Sequence, residues 1–539
     1  MTPAIERILV DGKIRTLDRV RPTAEALAIG GGRILAVGSN DSIRALAGAD
    51  TVIDNLEGRS LLPGLVDAHV HWSGTAQALF SVKLDDVVSR DQAVERVAER
   101  AGKTVPGAWI TGYGWSHADW KSDPRFPTAH DLDGVTPNHP VMLKARSGHA
   151  AWVNSIAMRM CGIDGDTADP AGGQIMRDDL GTPTGVFLEW TAMDLITHHV
   201  PPDTTDSLIA KMRAAGEYAL SLGLTGIHDL DWRDSFIALQ TMRAADALDL
   251  RVVKHINLEY FDSLLDLGLR PGFGDDWLRI GCLKLFVDGA LGARTASMLD
   301  PYDGEPDNVG IIVIDKHNAY NAISRASAAG FAAAVHAIGD RAVRDVLDTF
   351  QTVRAEEAAR GVPPDARRHR IEHVQLIHPD DVGRLAELSL IASMQPIHAT
   401  SDRDFADRYW GERCATAYNP RLQLDRGVVV AFSSDSPVDN LDPITGIHAA
   451  VTRRRADGSP GADGWYPDAR VSIDEAVRAY TQAPAYAAGV ERRAGTIAPG
   501  CNADLTLLDR DLYTTPSDEL LQTQVSGTMV GGTWKYRQF

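Results

Sequence analysis

Short apolar runs at residues 224–229, 251–256, 282–288, 331–336, 370–374, 390–394 and 428–433 recur along the chain, separated by amphipathic stretches. Runs this short and rich in branched residues predict strands, and the stretches between them predict helices. After Asp340, which is placed to cap a helix, Val343, Val346, Leu347, Phe350 and Val353 fall on one helical face. Ser472-Ile473-Asp474-Glu475 is a capping box that opens another helix. An earlier apolar run, residues 60–68, ends at His69 and brings the strands to eight. Eight such units predict an α/β fold, a (β/α)8 TIM-like barrel. An open doubly wound sheet is the alternative, but its glycine-rich phosphate fingerprint is missing.

The two ends have a different texture. Residues 5–58 carry short strand-like runs broken by turn signals such as Asp11-Gly12 and Gly30-Gly31-Gly32. The same texture returns near residues 495–536. Neither end has core enough to stand alone, so both are expected to pair into one small β-sandwich. This divides the chain into residues 1–60, the barrel at 61–490, and 491–539. Residues 74–200, rich in Trp, Gly and Pro, interrupt the alternation after the first barrel strand. They read as an insertion over the barrel mouth.

Composition narrows the classes. At 539 residues with 44% hydrophobic and 24% charged positions the chain is ordinary globular material, long enough for a large domain plus smaller ones. A net charge of -19 argues against a nucleic-acid partner. Cys161, Cys282, Cys414 and Cys501 are scattered, which fits reduced thiols rather than a disulfide framework. The first residues lack a signal-peptide pattern and no apolar run is long enough for a membrane span. A cytoplasmic protein is expected.

The chemistry begins at His69-Val70-His71. Residues two apart on a strand face the same way, so two imidazoles at a strand end can grip one cation. Barrel enzymes place their chemistry at the C-terminal strand ends, and Lys284, His336, His373 and Asp435 lie at or near such ends. A single strand-end histidine is more often a simple hydrogen-bonding residue, but several on different strands point to a metal site. Lys284 sits between Cys282, Leu283, Leu285 and Phe286, where an ammonium is costly. Two readings stand level. The amine takes up carbon dioxide and bridges two cations as a carbamate, or it pairs with Asp288 or Asp435.

The motifs Pro63-Gly64-Leu65-Val66-Asp67-Ala68-His69-Val70-His71, Lys284-Leu285-Phe286-Val287-Asp288-Gly289, His336-Ala337-Ile338-Gly339-Asp340, Arg370-Ile371-Glu372-His373 and Ser434-Asp435-Ser436-Pro437 together resemble the amidohydrolase superfamily. More narrowly they resemble its branch with N-substituted formamide deformylase. The resemblance spans almost the whole chain. It implies that His69, His71 and Asp435 hold one divalent metal ion, that His336 and His373 hold a second, and that carboxylated Lys284 bridges them. Zinc is the default ion for so many imidazoles. The expected reaction is hydrolysis of an amide-type C–N bond by metal-bound hydroxide, with Asp435 shuttling the proton to the leaving nitrogen. The partner is a small-molecule amide, and the resemblance suggests a homodimer.

His149, Trp115, His228 and Arg294 are candidate substrate-binding residues. Trp115, Trp120 and Trp152 either form an apolar lid or merely pack the insertion, and His228 with Asp229 is equally well a hydrogen-bonded strand end. A deaminase of the same superfamily is a competing reading, but the glutamate usual shortly after the fifth-strand histidine is absent from His336-Ala337-Ile338-Gly339-Asp340. Cyclic imide and carbamate bonds suit the same hydroxide. A non-catalytic metal-binding homologue should have lost a ligand, and none is missing.

Overall fold

Strand Leu65–Val70 (β1) starts a sheet that continues with Leu224–Asp229 (β2), Arg251–Asn257 (β3), Leu278–Phe286 (β4), Ala333–Ala337 (β5), Arg370–His373 (β6), Ile391–Met394 (β7) and Val430–Phe432 (β8). In the computed structural model, which describes residues 4–84, 86–117, 120, 125–145, 150–170 and 173–539, these strands pair in chain order. Every pairing is parallel. The ring is drawn together by the Asp435 N–H donating to the His69 carbonyl and the His71 N–H donating to the Ser436 carbonyl, each at 2.9 Å. Asp67 adds to this seam by accepting from the backbone N–H of Ser434 (3.1 Å) and of His69 (3.1 Å). The expected α/β barrel is therefore present.

The chain divides into two compact units, residues 1–75 with 212–539, and residues 76–211. Within the first, a four-stranded sheet comes wholly from residues before 56. A six-stranded sheet runs Thr533–Arg537, Val525–Val530, Leu505–Leu508, Ser60–Pro63, Lys13–Arg15, Thr23–Ala24, so the two ends of the chain share it. Leu9, Leu27, Ile34 and Leu61 pack with Ile497, Leu505, Leu507 and Met529 in one buried cluster, which explains why neither end needs its own core.

Two local expectations are corrected. Residues 60–68 are two strands in two sheets, because the run breaks at Pro63-Gly64. Gly64 approaches the β2 side chain Thr225 so closely that a Cβ would lie 2.2 Å from its Oγ1. Asp340 is the first residue of helix Asp340–Ala359 rather than its cap, and its carboxylate accepts from the Leu299 N–H at 2.9 Å. The apolar face is as expected, with Val343, Val346, Leu347, Phe350 and Val353 all buried, and the Ser472–Glu475 capping box is formed.

The second unit holds its own six-stranded sheet, ordered Gln174–Arg177, Pro183–Leu188, Ala150–Val153, Val141–Ala145, Ile110–Trp115, Val82–Lys83. Trp115, Trp120 and Trp152 are fully buried in its core, each 6.2 Å from the other two between ring centroids. Trp115 also donates its indole N–H to the Leu143 carbonyl at 2.8 Å. Of the two readings of these tryptophans, packing is the one their burial supports. His149 lies outside the described residues. Among the described residues no helix is long and apolar enough to cross a membrane.

Candidate metal centre

Parallel pairing puts the C-terminal ends of all eight strands at one mouth, and the histidines follow from the register. His336 on β5 lies opposite Phe286 of β4, two residues past Lys284, and Ala337 lies opposite His373. His69 lies on β1 and His71 just past its end, and Asp435 follows β8. Their rings gather closely: His69 to His71 5.6 Å, His69 to His373 4.9 Å, His336 to His373 4.5 Å. Asp435 Oδ1 lies 3.3 Å from His69 Nε2 and 3.5 Å from His71 Nε2. His373 and Asp435 hold left-handed backbones, φ 77° and 58°, a strain of about 1–3 kcal/mol per residue that clusters at functional sites.

The outer nitrogen of each imidazole is occupied. His69 Nδ1 donates to Glu372 Oε2 (2.6 Å), His71 Nδ1 to Asp231 Oδ1 (3.0 Å) and His373 Nδ1 to Gln395 Oε1 (2.9 Å). His336 uses its other nitrogen, Nε2 donating to the Gly289 carbonyl at 3.0 Å. Such second-layer acceptors fix the tautomer, leaving one unprotonated nitrogen per ring free to bind a cation. His69 Nε2, Lys284 Nζ and Asp435 Oδ1 are buried without a hydrogen-bond partner. Buried orphan atoms of this kind are rare in native proteins and signal an ion or ligand. Two imidazoles with a carboxylate, and further imidazoles beside a buried lysine, are donors that suit a borderline-soft divalent ion.

Electrostatics follow from burial and neighbours. Burial pushes the Asp435 carboxyl up, but His69 and His398 outweigh it and hold it well below the ordinary range. Burial also raises Glu372, yet Arg370 and His69 bring it well below. Desolvation brings Lys284 down to about 8 against the pull of Glu372 and Asp435, so the neutral amine is accessible. Burial and Lys284 bring His336 down to about 3, and burial with His336 lowers His373 well below its ordinary value. Lys284 pairs with neither Asp288 nor Asp435. Asp288 accepts from the N–H groups of Ser297 (2.9 Å), Ile338 (3.1 Å) and Gly339 (2.9 Å).

The six residues named from sequence as ligands all come to this mouth. His228 does not: its Nδ1 accepts from Arg370 Nη1 at 3.1 Å inside the barrel, and burial with that cation pushes it down to about 3. Its partner Asp229 is bound to Lys254 Nζ at 2.9 Å. Arg294 sits on the loop after β4, paired with Glu305 at 2.8 Å and stacked over Tyr409. Sequence reasoning did not single out Asp231, Gln395 or His398, and it gave Glu372 no role. His398 Nε2 lies 3.4 Å from Asp435 Oδ2, and its Nδ1 donates to Asp439 Oδ2 at 2.7 Å. Those two carboxylates outweigh burial and raise its pKa well above the ordinary value. Its only sequence signal was its place just past β7.

Comparison with known proteins agrees with this geometry. Residues 51–536 match the model of the amidohydrolase family. Protein LONG AFTER FAR-RED 3 of Arabidopsis thaliana is 32% identical, covering 98% of this chain and 91% of its own. N-substituted formamide deformylase of Arthrobacter pascens is 31% identical over 100% of this chain and 99% of its own. The crystal structure of an uncharacterized metal-dependent hydrolase from Pyrococcus furiosus superposes with a TM-score of 0.76 at 29% identity, covering 94% of this chain and all of the other. With the match running through all eight barrel strands and into the C-terminal segment, this chain belongs to the amidohydrolase family.

Proposed function

We propose that this protein, a metal-dependent hydrolase acting on C–N bonds, cleaves an N-substituted formamide or a closely related small amide. The reading rests on one observation: His69, His71 and Asp435 converge at the mouth with Nε2 of His69 and Oδ1 of Asp435 buried and unpartnered. His69, His71 and Asp435 would hold one cation, His336 and His373 a second, and zinc suits both. Bound there, the cations acidify a water and polarise the scissile carbonyl. Lys284 would join them as a carbamate: its neutral amine bonds to the carbon of carbon dioxide, one proton leaves, and two oxygens result. Its Nζ is buried over the Phe286 ring with no hydrogen-bond partner.

Asp435 would take the proton of the attacking water and deliver it to the leaving nitrogen, which is needed because an amide anion is a very poor leaving group. Glu372, Asp231 and Gln395 hold the imidazoles in register while this happens. The formamide substrate class comes from the Arthrobacter pascens relative. The test is a screen of zinc-loaded protein against amides of graded acyl size, with formate and amine both quantified. Equal release of the two from formamides supports the reading, and amine from none of the amides rejects it.

A further inference from the structure

Histidines inside this barrel fall into two hydrogen-bonding classes. His228, His255 and His369 are consumed as acceptors: Nδ1 of each accepts from Arg370 Nη1 (3.1 Å), the Cys282 N–H (2.9 Å) and the Ala333 N–H (3.0 Å) respectively. A neutral imidazole has one lone pair, so none of these three has one left for a cation. His69, His71 and His373 do the reverse, donating from Nδ1 and keeping Nε2 open. His398 shares the Nδ1 donation of this second class, from the start of the short helix His398–Ser401. Its Nδ1 donates to Asp439, which the Ser401 hydroxyl also steadies at 2.7 Å, and its Nε2 is turned to Asp435.

The distances carry the argument further. Bonds of about 2.1 Å to a tetrahedral ion put neighbouring donors about 3.4 Å apart. Asp435 Oδ1 is 3.3 Å from His69 Nε2 and 3.5 Å from His71 Nε2, and its Oδ2 is 3.4 Å from His398 Nε2. The two carboxylate oxygens thus face two different sets of imidazoles. The ligand atoms of His373, His398 and Asp435 lie within 4.8 Å of one another, as do those of His69, His71 and Asp435. We infer that His398 is a further metal ligand, joining His373 and Oδ2 of Asp435 on the second cation while Oδ1 serves the first. The inference rests on reading this mouth as a metal site, and adds to it the first residue of the short helix after β7.

The test titrates metal-free full-length protein with Zn2+ alone and with Co2+ alone, reading affinity, stoichiometry and the visible absorption of the cobalt form. His398→Ala is expected to weaken one zinc position at least about tenfold and to alter the cobalt spectrum. His398→Gln, which keeps a hydrogen-bond donor for Asp435, should not rescue either readout. Asp439→Asn should weaken the same position by about tenfold with the fold intact. Wild-type affinity and spectrum in His398→Ala, or full rescue by His398→Gln, overturn the assignment and leave His398 as a positioning partner of Asp435. Should His398→Ala not fold, unchanged affinity in Asp439→Asn overturns it instead. A wild-type protein that takes up no zinc overturns the reading of the whole mouth, a distinguishable result.

Discussion

At the mouth of the barrel, His69 Nε2, Lys284 Nζ and Asp435 Oδ1 are buried with nothing to bond to. Three residues before His373 on β6, Arg370 is equally buried and fully engaged. It donates to both carboxylate oxygens of Glu372, to His228 Nδ1, to the Ala68 carbonyl (2.6 Å) and to Ser393 Oγ (2.8 Å). The two layers hold similar chemistry in opposite states. The lower one is a completed network that fixes Glu372 and, through it, His69. The upper one is incomplete by itself, and an incomplete buried cluster is a cost that only a bound species offsets.

Chelation should separate the layers most sharply. Removing metal is expected to abolish amine release and lower the melting temperature, and zinc at about 100 times its Kd should return about 2.7 kcal/mol of stability. Calorimetry with and without zinc checks this, and identical melting curves would break the contrast. Next in size, Asp435→Asn should cut turnover by about 100-fold or more at saturating zinc, measured by amine release beside metal analysis. Turnover at the wild-type rate would remove the proton shuttle from Asp435.

Arg370→Ala strands Glu372 as a lone buried charge, so it should lose about 3–5 kcal/mol in urea denaturation of the metal-free protein. Lys284→Met should do the opposite in the same assay, gaining about 1 kcal/mol, because the fold disfavours its ammonium and leaves it unpaired. A loss there would mean the lysine is already satisfied without a ligand. A control away from the mouth is Glu357, bonded to His369 (2.9 Å) and Ser327. Burial raises Glu357, but His369 and Ser327 outweigh it and bring its pKa from 4.5 to about 2. A depressed carboxylate stabilises above its unfolded pKa and loses that contribution as pH falls through the folded one. The stability gap between wild type and Glu357→Gln should therefore be full above pH 4.5 and close between there and about 2, as acid titration of the unfolding free energy would show.

The barrel was legible because parallel strands buried on both faces read as continuous apolar runs, and seven such runs plus the one before His69 sufficed. The six ligand candidates were legible because each stands at or near a run's end, where the fold puts its chemistry. What escaped was tertiary. No periodicity tells that Ser60–Pro63 and Leu65–Val70 enter different sheets, since that is decided by which strands lie alongside. Asp231 and Gln395 stand on loops beyond strand ends and His398 opens the short helix His398–Ser401, where nothing repeats. Glu372 stood next to His373 in a motif, yet its bond is to His69, 303 positions away. The tryptophans of the insertion were ambiguous because an aromatic side chain suits a core and a binding wall equally.

The split at Gly64 also bears on how the molecule is made. The Leu65 N–H donates to Thr506 Oγ1 across 441 positions, and Ser60–Pro63 pairs with Leu505–Leu508. On the ribosome the strand leading to His69 therefore waits, unpaired on that side, until Leu505–Leu508 has been translated. Contacts so distant in order of synthesis make a slow-assembling topology, and deleting the last strands would expose the lead-in to the first histidine pair without touching a single ligand.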